Sequence, residues 1–292
     1  KKFKRLIMHK TTMKHLYLFL FLSTILFCCK KEQVNEGIPS YISIPFLGLS
    51  TEELDEGSSS HLITDAWVYF NNDLQGIYPI PCTFPVLLQG KQNISIKAGI
   101  KNNGISATRV KYPFYDYFKD TINLIQDSII IIDTSVKYVE NTNFLIEDFE
   151  NSGTIFEPTS NSDTSYFLIS DTSMEGNSLG AYLSLTQHTF EIATGEIDTL
   201  LRTGAPVYIE LNYNCNTAFS VGVFANYPQT VTTMIPITIN PKEDWNKIYI
   251  DLTSTIASTQ NANSHKIFIS MTRDVISTEI AELYIDNFKL VY

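Results

Sequence analysis

The chain has 292 residues, 44% of them hydrophobic, and a formal net charge of −10. That is enough apolar material for a core spread over one or two domains. An acidic body with no basic patch argues against nucleic acid as a partner, because that affinity comes mainly from neutralising phosphates, and against docking on anionic lipid by charge.

The first feature along the chain is Met13–Cys29. Lys14 and His15 lead into an unbroken apolar run, Leu16–Phe27, followed by Cys28 and Cys29. Twelve helical residues span about 18 Å, short of a ~30 Å hydrocarbon core, so the run reads as the apolar region of an export signal and not as a membrane span. Leu26-Phe27-Cys28-Cys29 resembles the lipobox of bacterial lipoproteins, with Leu at −3 and the cysteine at +1. The resemblance implies acylation of Cys29, loss of residues 1–28 and anchorage to a membrane. Residues 1–12 read as an upstream extension, with Met13 as the start. Losing residues 1–28 takes six basic residues and no acidic one, which moves the charge from −10 to −16. Lys30 and Lys31 stand where lipoproteins retained at the inner membrane commonly carry Asp, so the resemblance implies the outer membrane. Residues 29–40 form the acylated cysteine and a polar tether.

From there nearly every segment has strand character, and no stretch of ten residues shows capped helical periodicity. Leu62–Phe70 is β-branched and aromatic and ends at the turn signal Asn71-Asn72-Asp73. Pro79, Pro81 and Pro85 mark Ile77–Leu88 as edge strand or extended loop. In Gln92–Ala98, Ile94 and Ile96 alternate with Asn93, Ser95 and Lys97. The four isoleucines Ile129–Ile132 predict a strand buried on both faces. Gly76, Gly90, Ile94 and Ile96 sit where small Ig-like or PEGA-like surface modules carry them. That resemblance covers about forty residues and implies an Ig-like β-sandwich over 41–140.

A second unit, 144–292, runs through short strands separated by Asn, Ser, Thr and Gly turns, the pattern of a sandwich or jelly roll. Asp148-Phe149-Glu150, Gly176–Leu185, Trp245–Leu252 and Tyr284–Leu290 follow in the order seen in galactose-binding-like jelly rolls, the fold of many carbohydrate-binding modules, which this unit resembles. The fold expected is therefore all-β: an Ig-like sandwich followed by a jelly roll. The resemblance implies that the first and last strands of the unit lie side by side. It also implies a structural calcium there, held by Glu150 and Asp286; the alternative is that these are ordinary solvated strand-end acids.

Tyr112, Phe114, Tyr115 and Tyr117 belong to a run with five aromatics in seven residues. Exposed, they would form a ligand-binding patch for a glycan; buried, they would pack one domain on the other. Tyr166, Tyr182, Tyr208, Tyr213, Phe224 and Tyr227 alternate with other residues on strands, and most of them read as core. Gly176–Gly180 matches G-x-S-x-G, but a strand follows it where a nucleophile elbow needs a helix, so Ser178 is not a nucleophile. His61, His188 and His265 are scattered and read as surface residues. Cys82 and Cys215, 133 residues apart, read as free thiols. Together these features predict a non-catalytic, lipid-anchored envelope protein that binds glycan. The alternative is a scaffold that binds another envelope protein, and a glycoside hydrolase ranks third.

Overall fold

The computed structural model describes residues 37–292, so the export signal and Cys29 lie outside the described residues. The first sandwich is built from β1 (Ser40–Leu49), β2 (Asp65–Phe70), β3 (Asp73–Pro79), β4 (Cys82–Val86), β5 (Gly90–Lys101), β6 (Arg109–Lys111), β7 (Phe118–Leu124) and β8 (Ile129–Val136). One sheet runs β4-β1-β8; the other runs β3-β2-β5, with β6 and β7 both paired to β5. Alternation does the sorting: Ile42 and Ile44, Val68 and Phe70, Ile94 and Ile96 all face the space between the sheets. The proline-bearing strands β3 and β4 are both sheet edges, where a missing N–H costs least.

The isoleucine run corrects one expectation. Among the described residues β8 pairs only with β1, in parallel, and forms the edge of its sheet. Ile132 is buried, but Ile129 and Ile131 are 63% and 68% exposed. A continuous apolar run carries no period, so it does not distinguish a central strand from an edge.

The second sandwich holds β9 (Phe144–Glu147), β10 (Phe156–Pro158), β11 (Phe167–Ile169), β12 (Ser178–Leu183), β13 (Thr189–Thr194), β14 (Tyr208–Cys215), β15 (Phe219–Tyr227), β16 (Thr230–Ile239), β17 (Lys242–Asp251), β18 (Ser264–Thr272) and β19 (Ala281–Val291). Its sheets run β11-β12-β19-β14-β17, with β9 also on β19, and β10-β13-β18-β15-β16. The first and last strands are neighbours, Glu147 opposite Phe288. Among the described residues, two short helices, α1 (Glu53–Glu56) and α2 (Thr253–Ala257), interrupt the run of strands. Cys82 and Cys215 are free thiols.

Pro39–Tyr292 form one compact unit, and the seam between the two sandwiches is a core in its own right. Tyr208, Tyr249 and Val291 of the second sandwich belong to the same buried cluster as Tyr112, Tyr115 and Tyr138. At its centre lies Glu210, fully buried. Its Oε1 accepts hydrogen bonds from Tyr112 Oη (2.7 Å) and Tyr138 Oη (3.0 Å), and Lys247 Nζ stands 3.6 Å from Oε2. The tyrosines engage Oε1 and Lys247 balances the charge, while Oε2 and Lys247 Nζ make no hydrogen bond among the described residues; a buried carboxylate is tolerable only when its charge is balanced in this way. Replacing Glu210 by Ala strands Lys247 and two tyrosine hydroxyls. The expected loss is about 3–5 kcal/mol, read as a lowered denaturation midpoint, whereas truncating Leu54, 99% exposed, should change it little.

Candidate functional site

The face of the β11-β12-β19-β14-β17 sheet that points away from its own core is half covered and half open. On β14, Ile209, Leu211, Tyr213 and Cys215 enter the core, so Tyr208, Glu210, Asn212 and Asn214 stand on the other side. On β19 a bulge resets the alternation. Leu283 and Ile285, then Phe288 and Leu290, all reach the core, while Asn287 takes the extra position with φ of 50°. Lys289 and Tyr284 are thereby both turned outward.

The covered half lies under the first sandwich and the chain between α1 and β2. Tyr249 Oη accepts from the Leu62 N–H at 3.0 Å and lies 3.1 Å from Tyr115 Oη. Ser60 Oγ donates to Asn212 Oδ1 at 2.9 Å. Lys289 Nζ donates to the Ser58 carbonyl at 2.7 Å and to Tyr138 Oη at 3.3 Å. Burial brings the Lys289 ammonium down to about 8, against the pull of Glu210. The loop before β12 completes this wall. Glu175 Oε2 accepts from Ser58 Oγ (2.7 Å) and Asn287 Nδ2 (3.3 Å), and the Thr172 carbonyl accepts from the Trp245 indole N–H at 3.0 Å.

Beyond the wall the face is open and aromatic. Phe167, Gly180, Tyr284 and Asn214 are register neighbours on β11, β12, β19 and β14. A side chain on Gly180 would come within 2.8 Å of the Phe167 ring, so the glycine lets that ring lie flat on the sheet. The Phe167 and Tyr182 rings are 4.7 Å apart, and Tyr182 and Tyr284 meet edge to face at 6.0 Å. The two hydroxyls are 2.7 Å apart, and Tyr284 Oη donates to Glu282 Oε2 at 3.3 Å. Tyr182 is 39% exposed; Phe167, Tyr284, Glu282, Asn214 and Trp245 are half-buried. Asn214 holds the Glu243 carbonyl through its amide, at the irregularity where β17 passes β14. From β11 to β17 the strip crosses four strand spacings, about 19 Å.

The sequence-predicted site residues fall elsewhere. Tyr112 and Tyr115 are fully buried and Phe114 is 9% exposed. All three lie in the seam, so their reading as a ligand platform is corrected: apolar rings beside an equally aromatic neighbouring surface pack against it. Tyr117 alone reaches the surface, 4.8 Å beneath Lys97 Nζ. Glu150 and Asp286 both hold the end of the loop that runs into β12. Glu150 accepts from the Asn177 N–H. Asp286 Oδ2 accepts from Glu175 N–H (3.0 Å) and Ser178 Oγ (2.8 Å), and Oδ1 from Asn287 N–H (2.7 Å). Both carboxylates thus take hydrogen bonds from the chain's own donors in this structure. Among the described residues no group of three or more His, Cys, Asp or Glu is placed to hold a metal. Ser178 is buried and engaged with Asp286. His265 is buried, not a surface residue, 2.7 Å from Thr259 Oγ1 through Nε2.

The strip was missed because Tyr182 was assigned to the core. The signal was present: Leu179, Ala181 and Leu183 alternate with it, and a strand with those three inside must turn Tyr182 out.

No protein-family model matches the chain, and no curated protein matches it. Solved structures similar to it include a carbohydrate-binding module from the beta-sandwich superfamily studied for promiscuous specificity (14% identity, TM-score 0.38, covering 78% of this chain and 84% of that one). A family 11 carbohydrate-binding module from Clostridium thermocellum, in complex with a beta-1,3-1,4-mixed-linked tetrasaccharide, shows 13% identity and a TM-score of 0.37 over 51% of this chain and 94% of that one. A xylan-binding domain of family 22 shows 13% identity and a TM-score of 0.36 over 52% and 96%. Likenesses this distant carry no argument about ligand or mechanism.

Lys289 gives the covered half a pH signature. Between about 8 and 10.5 the folded chain has released the Lys289 proton that the unfolded chain still holds, so this group makes stability rise with pH in that window. Lys289→Met should flatten that rise in denaturant midpoints measured from pH 7.5 to 10.

Proposed function

We propose that this chain is a non-catalytic glycan-binding protein, anchored at the outer membrane of a bacterium through an acylated Cys29. The observation that carries the binding role is the open strip of Phe167, Tyr182 and Tyr284. A pyranose presents an apolar C–H face rimmed by hydroxyls. Half-exposed aromatic rings with tyrosine hydroxyls, Glu282 and the Asn214 amide beside them supply the matching apolar surface and hydrogen-bonding rim. The strip is flat and fixed by sheet register, which suits recognition of an extended oligosaccharide.

Charge narrows the ligand to a neutral glycan. Glu282 touches the strip, and Glu175, Glu243 and Asp244 are exposed around it. Lys247 and Lys289, on the same face, are buried and committed to Glu210 and Ser58, which leaves Lys242 at the start of β17 as the exposed base beside the strip. A polyuronide or sulfated chain would meet a rim in which Glu175, Glu243, Asp244 and Glu282 outnumber Lys242. The anchor rests on the apolar run and cysteine pair of residues 16–29. Membrane tethering and a surface-facing sugar site together suit capture of polysaccharide at the cell envelope.

Calorimetric titration with neutral gluco- and xylo-oligosaccharides tests the reading. Binding should weaken by about 2 kcal/mol, or ~30-fold, in Tyr182→Ala and again in Tyr284→Ala, with denaturation midpoints little changed. Polygalacturonate should not bind. Equal affinity in wild type and both variants would remove the strip from the account. Separately, Cys29→Ser should release the protein from the membrane fraction.

A further inference from the structure

The outer face of the β3-β2-β5 sheet, with β6 and β7, gathers the charge that the rest of the molecule lacks. Residues 37–292 hold thirteen lysines and arginines against twenty-nine acids. On β5, Ile94, Ile96, Ala98 and Ile100 enter the core; on β7, Ile122 and Leu124 do, and Val110 of β6 packs against it. The residues that alternate with these point the other way. Lys91, Lys97, Lys101, Arg109, Lys111 and Lys119 therefore stand on one outward face. No basic run marks this face in the sequence. Strand register assembles it, with Lys111 opposite Gly99 and Lys119 opposite Ser95. The expectation of no basic patch holds along the chain and not on the folded surface.

Aromatic rings lie among these bases. Lys97 Nζ is 4.8 Å from the centre of the Tyr117 ring and Lys119 Nζ 5.7 Å. Lys111 Nζ is 5.5 Å from Trp67 and 5.8 Å from Tyr69. Tyr69 and Tyr117 meet edge to face at 6.2 Å. A side chain on Gly99 would come within 2.8 Å of the Trp67 indole, so the glycine lets that ring lie along the sheet. On β3, Ile77 stands opposite Trp67 and Leu74 opposite Tyr69, and these two aliphatics are 41% and 49% exposed. Arg109 is paired with Asp65. Among the described residues Lys97, Lys111 and Lys119 form no ion pair, although Lys97 is more than nine-tenths buried. Burial lowers the Lys97 ammonium, Asp116 pulls it back, and Lys111 and Lys119 push it down again. Asp116 and Asp120, at the β7 margin, each accept from the N–H of the next residue.

This combination does not suit a sugar, because the ammonium groups lie over the rings on which a pyranose would stack. Nor does it suit a purely charged polymer, to which Leu74 and Ile77 offer nothing. A bilayer surface answers both parts: phosphates meet the lysines, and the interfacial layer takes indole, phenol and aliphatic side chains. We infer that this face docks on the phosphate-bearing surface of a lipid bilayer, with Lys97, Lys111 and Lys119 on the headgroups and Trp67, Leu74 and Ile77 in the interfacial layer. The inference does not rest on acylation of Cys29 or on glycan binding.

Both buried cores lie wholly within residues 42–291, so the chain from residue 37 onward serves for the test, without Cys29. At low ionic strength it should co-sediment with vesicles of equimolar phosphatidylcholine and phosphatidylglycerol and not with phosphatidylcholine alone, and added salt should release it. Lys119→Gln should lower the partition coefficient ~5-fold, and Lys111→Gln with Lys119→Gln ~30-fold, with unchanged circular dichroism. Lys266→Gln, the same charge change on the second sandwich, should alter it less than about two-fold. No binding to the phosphatidylglycerol vesicles overturns the inference, as does equal binding by the double variant or an equal loss in Lys266→Gln. Binding of polygalacturonate through the same lysines, without binding to vesicles, would assign the face to an acidic polysaccharide and also overturn it. The aromatic strip lies on the second sandwich, so its failure to bind glycan would leave these readouts unchanged.

Discussion

A single buried carboxylate dictates how this molecule is organised. Glu210 stands on the outward face of a sheet strand, where solvent would ordinarily solvate it. Instead, two tyrosines of the first sandwich donate to it and Lys247 balances its charge. Withdrawing the first sandwich would leave that cluster half answered, and the cost of an unpaired buried charge far exceeds that of an ordinary surface contact. The seam is therefore specific as well as apolar. The edge-to-face and tilted rings of Tyr112, Tyr115, Tyr208 and Tyr249 supply area, and the carboxylate fixes register.

That constraint decides what the rest of the face can do. With Tyr208, Glu210, Asn212, Lys247, Tyr249 and Lys289 spent on the seam, only the far part of the sheet remains for a ligand. The chain at Ser58–Leu62 and the loop bearing Thr172 and Glu175 draw the boundary. Asp286 braces that loop from below by accepting hydrogen bonds from Glu175 N–H and Ser178 Oγ, and so acts as a rivet for the wall. Glu175 joins the two parts, since one of its oxygens takes hydrogen bonds from Ser58 of the first sandwich and Asn287 of the second.

Much of the fold was legible in the sequence because it rests on alternation and turns. Ile94 and Ile96, the prolines of the β3–β4 region and the juxtaposed first and last strands of the second unit all follow from local pattern or from the resemblance to jelly rolls. What was not legible depends on tertiary context. The aromatic run at Tyr112–Phe118 reads alike whether it meets a sugar or a neighbouring sheet, and only the outward face of β14 and β17 decides between them. The isoleucines of β8 carry no periodicity, so their edge position was hidden. Glu210 and Lys247 look like any surface acid and base on alternating strands; their burial depends on which face the first sandwich covers. Tyr182 is different: its outward direction follows from Leu179, Ala181 and Leu183, and it could have been read.

One sheet face is divided into a sealed half and an open half, the half to which we assign sugar binding. The most direct test is to follow tyrosine ring signals by NMR while titrating a neutral β-glucan hexasaccharide. Shifts should be confined to Tyr182 and Tyr284, with Tyr112, Tyr115 and Tyr249 unmoved and protected from exchange. Perturbation centred on the seam tyrosines, or saturable binding that leaves Tyr182 and Tyr284 untouched, would contradict it.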